Sequence, residues 1–287
     1  MGNPETLEGL DETASDWALP AASGPLPHPH RVWDYMLGGK DHYLVDANAA
    51  EEYLTVAPDS IYTARAMEAF VPRAVTRLAQ QGITQFLQLG VAIVSPYNGQ
   101  AVSDHVARTH QPTARFLYAA EDPVSVARAR ALLVGRGPYE VAVHTGDFRE
   151  PAALLARPEI SGFFDHTQPV GILLICMLNF IADHDQAARA VRDLYTWAPP
   201  GSRIALFHVM FQPEIDWSKL STPVIEGCNA VQLTMRTTQE LHTMLADYLD
   251  DFEDPGLVLA TQWHPDGTGP DPEYGERAAV IAGVIAK

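Results

Sequence analysis

Apolar residues in this chain follow two patterns, and one gives way to the other. Early on they recur at helical spacing, in stretches at about 43–57 and 60–81, the second closing at Gly82 as a helix C-terminal cap would. From residue 84 they gather into short, β-rich runs: TQFLQLG, ARFLYAA, YEVAVHTGD, VGILLICML and RIALFHVM. Helical stretches separate these runs at 98–110, 123–134, 150–156 and 185–198. Runs that are apolar throughout, rather than at every second position, belong to strands covered on both faces. Their alternation with helices predicts a parallel sheet. After RIALFHVM come an irregular segment at 211–236, a helix over TTQELHTMLADYLDDF, and two late strands, GLVLATQW and AAVIAGVIA. There is no internal repeat. The pattern predicts an α/β, Rossmann-like sheet finished by a strand pair.

Composition narrows the function. A net charge of -17 opposes binding to nucleic acid or to anionic lipid. Residues 1–29, rich in Pro, Gly, Ser and acid, read as a flexible tail with neither a signal peptide's apolar core nor a membrane span. A cytoplasmic protein is expected, with a small molecule as its partner and a homodimer left open. Cys176 and Cys228 make no disulfide framework, and Cys176, within GILLICML, reads as an inert core thiol. His28, His30, His42, Asp183, His184 and Asp185 lack zinc-site spacing, so no metal is expected.

In such sheets ligands bind beyond the carboxyl ends of the strands. The residues at those ends are Gly90-Val91-Ala92, Glu121-Asp122-Pro123, Gly146-Asp147-Phe148 and Asn179-Phe180, with His208 near the end of RIALFHVM. The first turn, GVAIVS, carries a single glycine where a nucleotide-binding turn has two or three.

The stretch RVWDYMLGGKDHYLVDANAAEEYL resembles the N-terminal signature of a bacterial family of S-adenosylmethionine-dependent methyltransferases. The likeness runs on through EDPVSVARARALL, GDFREP, ILLICMLNFIADHD, PPGSRIALFHV and DPGLVLATQWHPD, over roughly residues 28–266. It implies a class I methyltransferase architecture: a seven-stranded, mostly parallel sheet with its last strand antiparallel, and an N-terminal helical cap over the pocket. The organisation expected is a tail at 1–29, a cap at 30–82 and a Rossmann-like domain at 83–287 with an insertion at about 211–236.

The departures from the family pattern bear on the cofactor. Where the family has Asp-Ile-Gly-Thr-Gly, this chain has Gln88-Leu89-Gly90-Val91-Ala92, lacking the acid and the second glycine. Where the family's ribose-gripping acid would stand, it has Ala120, one residue before Glu121. Asp147 still matches the acid that would contact the adenine, and Asn179 stands where His is commoner. Gly90, Glu121, Asp147 and Phe148 are therefore the cofactor-site candidates. The expectation drawn from the missing groups is a fold repurposed for a cofactor-independent cyclisation or isomerisation of a small, largely apolar metabolite, with no cofactor. The alternatives are S-adenosylmethionine-dependent methyl transfer and a non-catalytic ligand-binding protein. Asp34, Tyr35, Asn179 and His208 are the candidate catalytic groups, able to polarise a carbonyl or move a proton. Trp33, Lys40, Phe180, Phe211 and Trp217 are expected to line the substrate pocket.

Overall fold

The structure, a computed structural model, describes residues 26–40, 42–90, 103–132, 141–220, 234–267 and 277–287. Seven strands form one sheet: β1 Gln85–Gly90, β2 Arg115–Ala120, β3 Val141–Thr145, β4 Gly171–Ile175, β5 Arg203–Val209, β6 Val258–Leu259 and β7 Val280–Ala286. Their order is β3-β2-β1-β4-β5-β7-β6. The first five are mutually parallel, and β7 runs antiparallel between β5 and β6. Every residue of β4 is buried, as its unbroken apolar run requires. Stacked rings of Phe86 and Phe116 lie across β1 and β2, while Phe70 joins Phe207 to Trp263. Each set contributes aromatic contact beyond simple burial.

Three helices lead into the sheet: α1 Pro29–Met36, α2 Leu44–Val56 and α3 Ser60–Gln80. The first starts on Pro29, whose missing N–H costs nothing at a helix start, and the His28 side chain accepts from the His30 N–H. It stops at Gly38, which takes the left-handed φ of 77° that glycine tolerates. The chain is already packed ahead of it, for Pro27 and Pro29 are buried. The packed structure therefore begins within the segment read as tail.

The connecting helices are α4 Ser103–His110, α5 Pro123–Leu132, α6 Pro151–Leu155, α7 Pro158–Ser161 and α8 His184–Trp197. Residues 98–102 of the first expected helix lie outside the described residues, as do Val91, Ala92 and the rest of the GVAIVS turn, Cys228, and 221–233 of the insertion. The TTQELHTMLADYLDDF helix breaks in two. An α-helix, Thr238–Met244, with a Thr237/Glu240 capping box gives way after Leu245 to a 3-10 turn, Ala246–Asp251. GLVLATQW contributes only the two paired residues of β6. No helix among the described residues is long and apolar enough to cross a membrane.

Candidate active site

The carboxyl ends of β1 to β5 make one edge of the sheet, and α1–α3 are folded over it. One buried cation ties α1 and α2 to it. Arg31 of α1 donates from Nε to Asp46 Oδ2 on α2 (2.8 Å) and from Nη1 to Asp122 just past β2 (3.1 and 3.2 Å). Asp46 also accepts from the His28 and Tyr43 N–H groups. Asp122 caps α5, accepting from the N–H groups of Val124 and Ser125 and from the Ser125 hydroxyl. Burial works against the Asp122 charge, but the Ser125 hydroxyl and the neighbouring His28 and Arg31 hold its carboxyl below the usual range. Nothing in the sequence marked Arg31 for this role, because its partner lies 91 residues away.

Under α1 is a small apolar pocket, with about 40 Å³ of room for the centre of a water-sized molecule. Pro29, Val32, Trp33 and Met36, at i, i+3, i+4 and i+7, present one face of α1 to it. Phe180 and Val209 stand at the ends of β4 and β5, Tyr53, Ser60 and Thr63 come from α2 and α3, and Gln212, Trp217 and Met235 close the rest. Among the described residues, no charged side chain lines it. Of the expected pocket residues it gathers Trp33, Phe180 and Trp217.

Lys40 and Phe211 are not among the lining residues: both are exposed. Tyr35 lies outside it too, its hydroxyl bonded to Glu51 on the outer side of the cap, which raises the phenol pKa. Helical geometry accounts for this, since at about 100° per residue Tyr35 falls about 80° round α1 from the midpoint between Val32 and Met36. Asp34 is also turned from the cavity. It pairs with His42 Nδ1 at 2.9 Å, and Gly39 packs so close that a Cβ there would meet the Asp34 carboxylate at 2.2 Å.

Asn179 and His208 are fully buried and do not line the cavity. Cys176, in a left-handed conformation with φ 55°, turns the chain out of β4 into the 3-10 turn Met177–Phe180. That turn aims Asn179 at β5. Its amide donates to the carbonyls of Val209 (2.9 Å) and Thr234 (3.0 Å) and accepts from the Val209 N–H (3.0 Å). His208 Nε2 lies 3.4 Å from the Asn179 amide. Burial, then the nearby Arg236 charge, push the imidazole pKa down to about 3. Placed so, His208 is neutral and no base at neutral pH; the strand-end rule located both residues without giving their direction.

At the other end of the edge, Glu121 and Asp147 follow β2 and β3 and share one arginine. Arg149 Nη2 donates to Glu121 Oε1 (2.6 Å) and Asp147 Oδ2 (2.9 Å), and its Nε to Asp147 Oδ1 (2.8 Å). Burial, only partly offset by Arg149, raises the Glu121 pKa. Burial opposes the Asp147 charge too, yet the Arg149 hydrogen bonds hold that carboxyl low. Ala120, last in β2, is fully buried and offers a ligand no polar group. Phe148 is buried against Phe180, with ring centroids 6.2 Å apart, as support rather than as an open wall. Gly90 ends β1 beside Ile175 of β4. Among the described residues, no three His, Cys, Asp or Glu side chains are grouped to hold a metal.

A sheet of this order, with an antiparallel β7 and a cavity at the parallel strands' carboxyl edge, is a class I methyltransferase fold. The chain belongs to the S-adenosyl methyltransferase family, whose profile matches residues 20–287. It is similar to the crystal structure of a putative methyltransferase from Thermobifida fusca YX, at 27% identity and a TM-score of 0.78 over 95% of this chain and 99% of that one. It is likewise similar to a DUF574 family protein from Streptomyces avermitilis MA-4680, at 28% identity and a TM-score of 0.79 over 91% and 98% of the two chains. No functionally curated protein matches it. These findings favour methyl transfer over the cofactor-independent reading drawn from the missing motif residues, for which they supply no support.

Proposed function

We propose that the protein is an S-adenosylmethionine-dependent methyltransferase acting on a small, largely apolar molecule. The observation that carries this reading is the juxtaposition at one sheet edge of two carboxylates, Glu121 and Asp147, with the cap-covered apolar cavity. The two ribose hydroxyls and the adenine amino group of the cofactor are hydrogen-bond donors, and carboxylates are the acceptors that suit them. The residues fit. Glu121 and Asp147 would hold the adenosine, Glu121 doing from the next position what Ala120 cannot. When bound, the sulfonium supplies an electrophilic methyl group.

The chain's own work is positioning. The cavity excludes water around the acceptor and fixes its orientation, which can supply much of the rate enhancement of a transfer between two bound partners. Arg149 donates to both carboxylates and holds that of Asp147 in its charged form. Among the described residues that line the cavity, the polar side chains are those of Trp33, Tyr53, Ser60, Thr63, Gln212 and Trp217, none of them a base for a proton leaving the acceptor. This suits an acceptor that is itself acidic enough to lose its proton to solvent.

The opposing observation is Ala120. It favours a second reading, in which the same cavity carries out a cofactor-independent cyclisation or isomerisation. Calorimetric titration with S-adenosylmethionine and S-adenosylhomocysteine separates the two. Methyl transfer requires micromolar binding, near -8 kcal/mol. Glu121→Gln should weaken it about tenfold or more, the worth of one charge-assisted hydrogen bond. No binding at millimolar concentration would overturn the proposal in favour of the second reading.

A further inference from the structure

The guanidinium that joins Glu121 to Asp147 takes the oxygens a nucleoside would need, an inference that rests on the reading of these two carboxylates as the adenosine site. Arg149 meets Asp147 as a fork, Nε reaching Oδ1 at 2.8 Å and Nη2 reaching Oδ2 at 2.9 Å. The same Nη2 donates to Glu121 Oε1 at 2.6 Å. One nitrogen therefore stands between the carboxylates that follow β2 and β3. A ligand can reach both groups, for the Asp147 side chain is 45% exposed and that of Glu121 20%.

Asp147 does not depend on the guanidinium for its place. Its Oδ1 also accepts from the backbone N–H of Arg149 at 2.9 Å, closing a turn over residues 147–149 that any residue but proline at 149 would keep. Glu121 follows the end of β2, where Ala120 pairs with Thr145 of β3 and the Gly146 N–H donates to the Ala120 carbonyl at 3.0 Å. Main-chain bonds thus bring the two carboxylates together. The side chain of Arg149 only joins them.

The guanidinium is also placed to leave. Its side chain is 33% exposed, and among the described residues its only hydrogen bonds are those to the two carboxylates. Glu150, exposed and next in the chain, attracts the same charge. Partly exposed ion pairs add little to a fold, so stability gives this one no strong reason to persist. A planar fork is nonetheless the geometry that suits a carboxylate best. The hydroxyls and amino group of a nucleoside bring hydrogen bonds to the same oxygens, but neither the opposing charge nor the fork.

We propose that Arg149 is an internal competitor of the cofactor: its guanidinium occupies Glu121 and Asp147, and a nucleoside binds there only as the guanidinium swings aside. The affinity for S-adenosylmethionine is thereby set below what the two carboxylates alone would give. Arg149 touches the carboxylates and not the reacting atoms, so it governs occupancy of the site rather than the transfer itself. A residue that merely steadied the carboxylates would have the opposite effect, and its removal would weaken binding.

The test titrates adenosine, which has the ribose and adenine without the methionine end, alongside S-adenosylmethionine. Calorimetry at pH 8, to keep both carboxylates ionised, would compare wild type with Arg149→Met, which keeps the apolar stem, and Arg149→Lys, which keeps the charge without the fork. Adenosine should bind Arg149→Met about three- to thirtyfold more tightly than wild type, the worth of one or two partly exposed ion pairs. Arg149→Lys should fall between them. Equal or weaker binding in Arg149→Met, or no binding of adenosine to any of the three proteins, would overturn the proposal. Should the variants fail to fold, nitrogen-15 NMR of wild type decides: the Arg149 Nε–H signal should move and exchange faster with water under saturating adenosine, and an unmoved signal would overturn the proposal. Tighter adenosine binding in Arg149→Met, with S-adenosylmethionine bound by none of the three, would leave this inference standing and defeat the methyl-transfer reading instead. S-adenosylmethionine and adenosine bound best by wild type would do the reverse.

Discussion

Replacing Arg31 by methionine keeps the apolar stem and removes the guanidinium that ties the cap to the sheet. It leaves Asp46, with no exposed side-chain surface, and Asp122, 5% exposed, as two buried carboxylates without their shared cation. Deleting one partner of a buried pair costs about 3–5 kcal/mol. Asp46 would retain the His28 and Tyr43 N–H groups and Asp122 its cap bonds to α5, so the loss should sit near the lower bound, about 3 kcal/mol. At about 2 °C per kcal/mol for a chain of this size, the melting temperature should fall by about 6 °C. If the cap lets go before the sheet melts, the loss appears locally. Amide exchange in α1 and α2 should then quicken roughly a hundredfold while β1 and β4 keep their protection. Differential scanning calorimetry and hydrogen exchange measure the two. A melting temperature within 1–2 °C of wild type (roughly what an exposed pair is worth), together with unchanged exchange in α1 and α2, would refute the claim that Arg31 latches the cap.

Two further outcomes follow from buried groups. The pKa of His208 is about 3 in the folded protein against an ordinary 6.5, so the folded state binds this proton less readily than the unfolded one. Its contribution to stability is complete above pH 6.5 and is lost as the pH falls toward 3, at about 1.4 kcal/mol per pH unit. His208→Gln should remove that slope, and urea unfolding at pH 7, 5.5 and 4.5 checks it; parallel wild-type and variant curves would contradict the burial argument. Gly39→Ala would push a methyl group into the Asp34 carboxylate and break its pairing with His42, at a cost of about 1–3 kcal/mol. Equal stability of this variant in denaturant titration would show that the turn yields at no cost.

The sheet was legible because burial on both faces leaves a mark in every residue of a strand, as in GILLI of β4. β6 was overread: GLVLATQW is as apolar as its neighbours, but only Val258 and Leu259 find a partner in β7. The site was half legible. Position at a strand's end singled out Glu121, Asp147 and Phe180, and the cap signature singled out Trp33. The same reasoning chose Asn179 and His208, which the turn at Cys176 directs into the protein rather than toward the cavity. Ser60 and Thr63 read as ordinary helix-start residues, and Arg149 was hidden inside GDFREP. Arg31 and Asp122 meet only through tertiary folding, which no local pattern records.

Asn179 has a consequence for how this protein can diversify. Its three hydrogen bonds to Val209 and Thr234 clamp the end of β4 to the end of β5, with Phe180 next in the chain on one side and Val209 on the other. Both residues line the cavity. The gauge of the opening is thus written in backbone-directed bonds, while its texture is written in the side chains of Phe180 and Val209. Lineages can trade bulky walls for slender ones, and so exchange one guest for another, without disturbing the frame. A change at Asn179 itself would alter the frame and every guest at once.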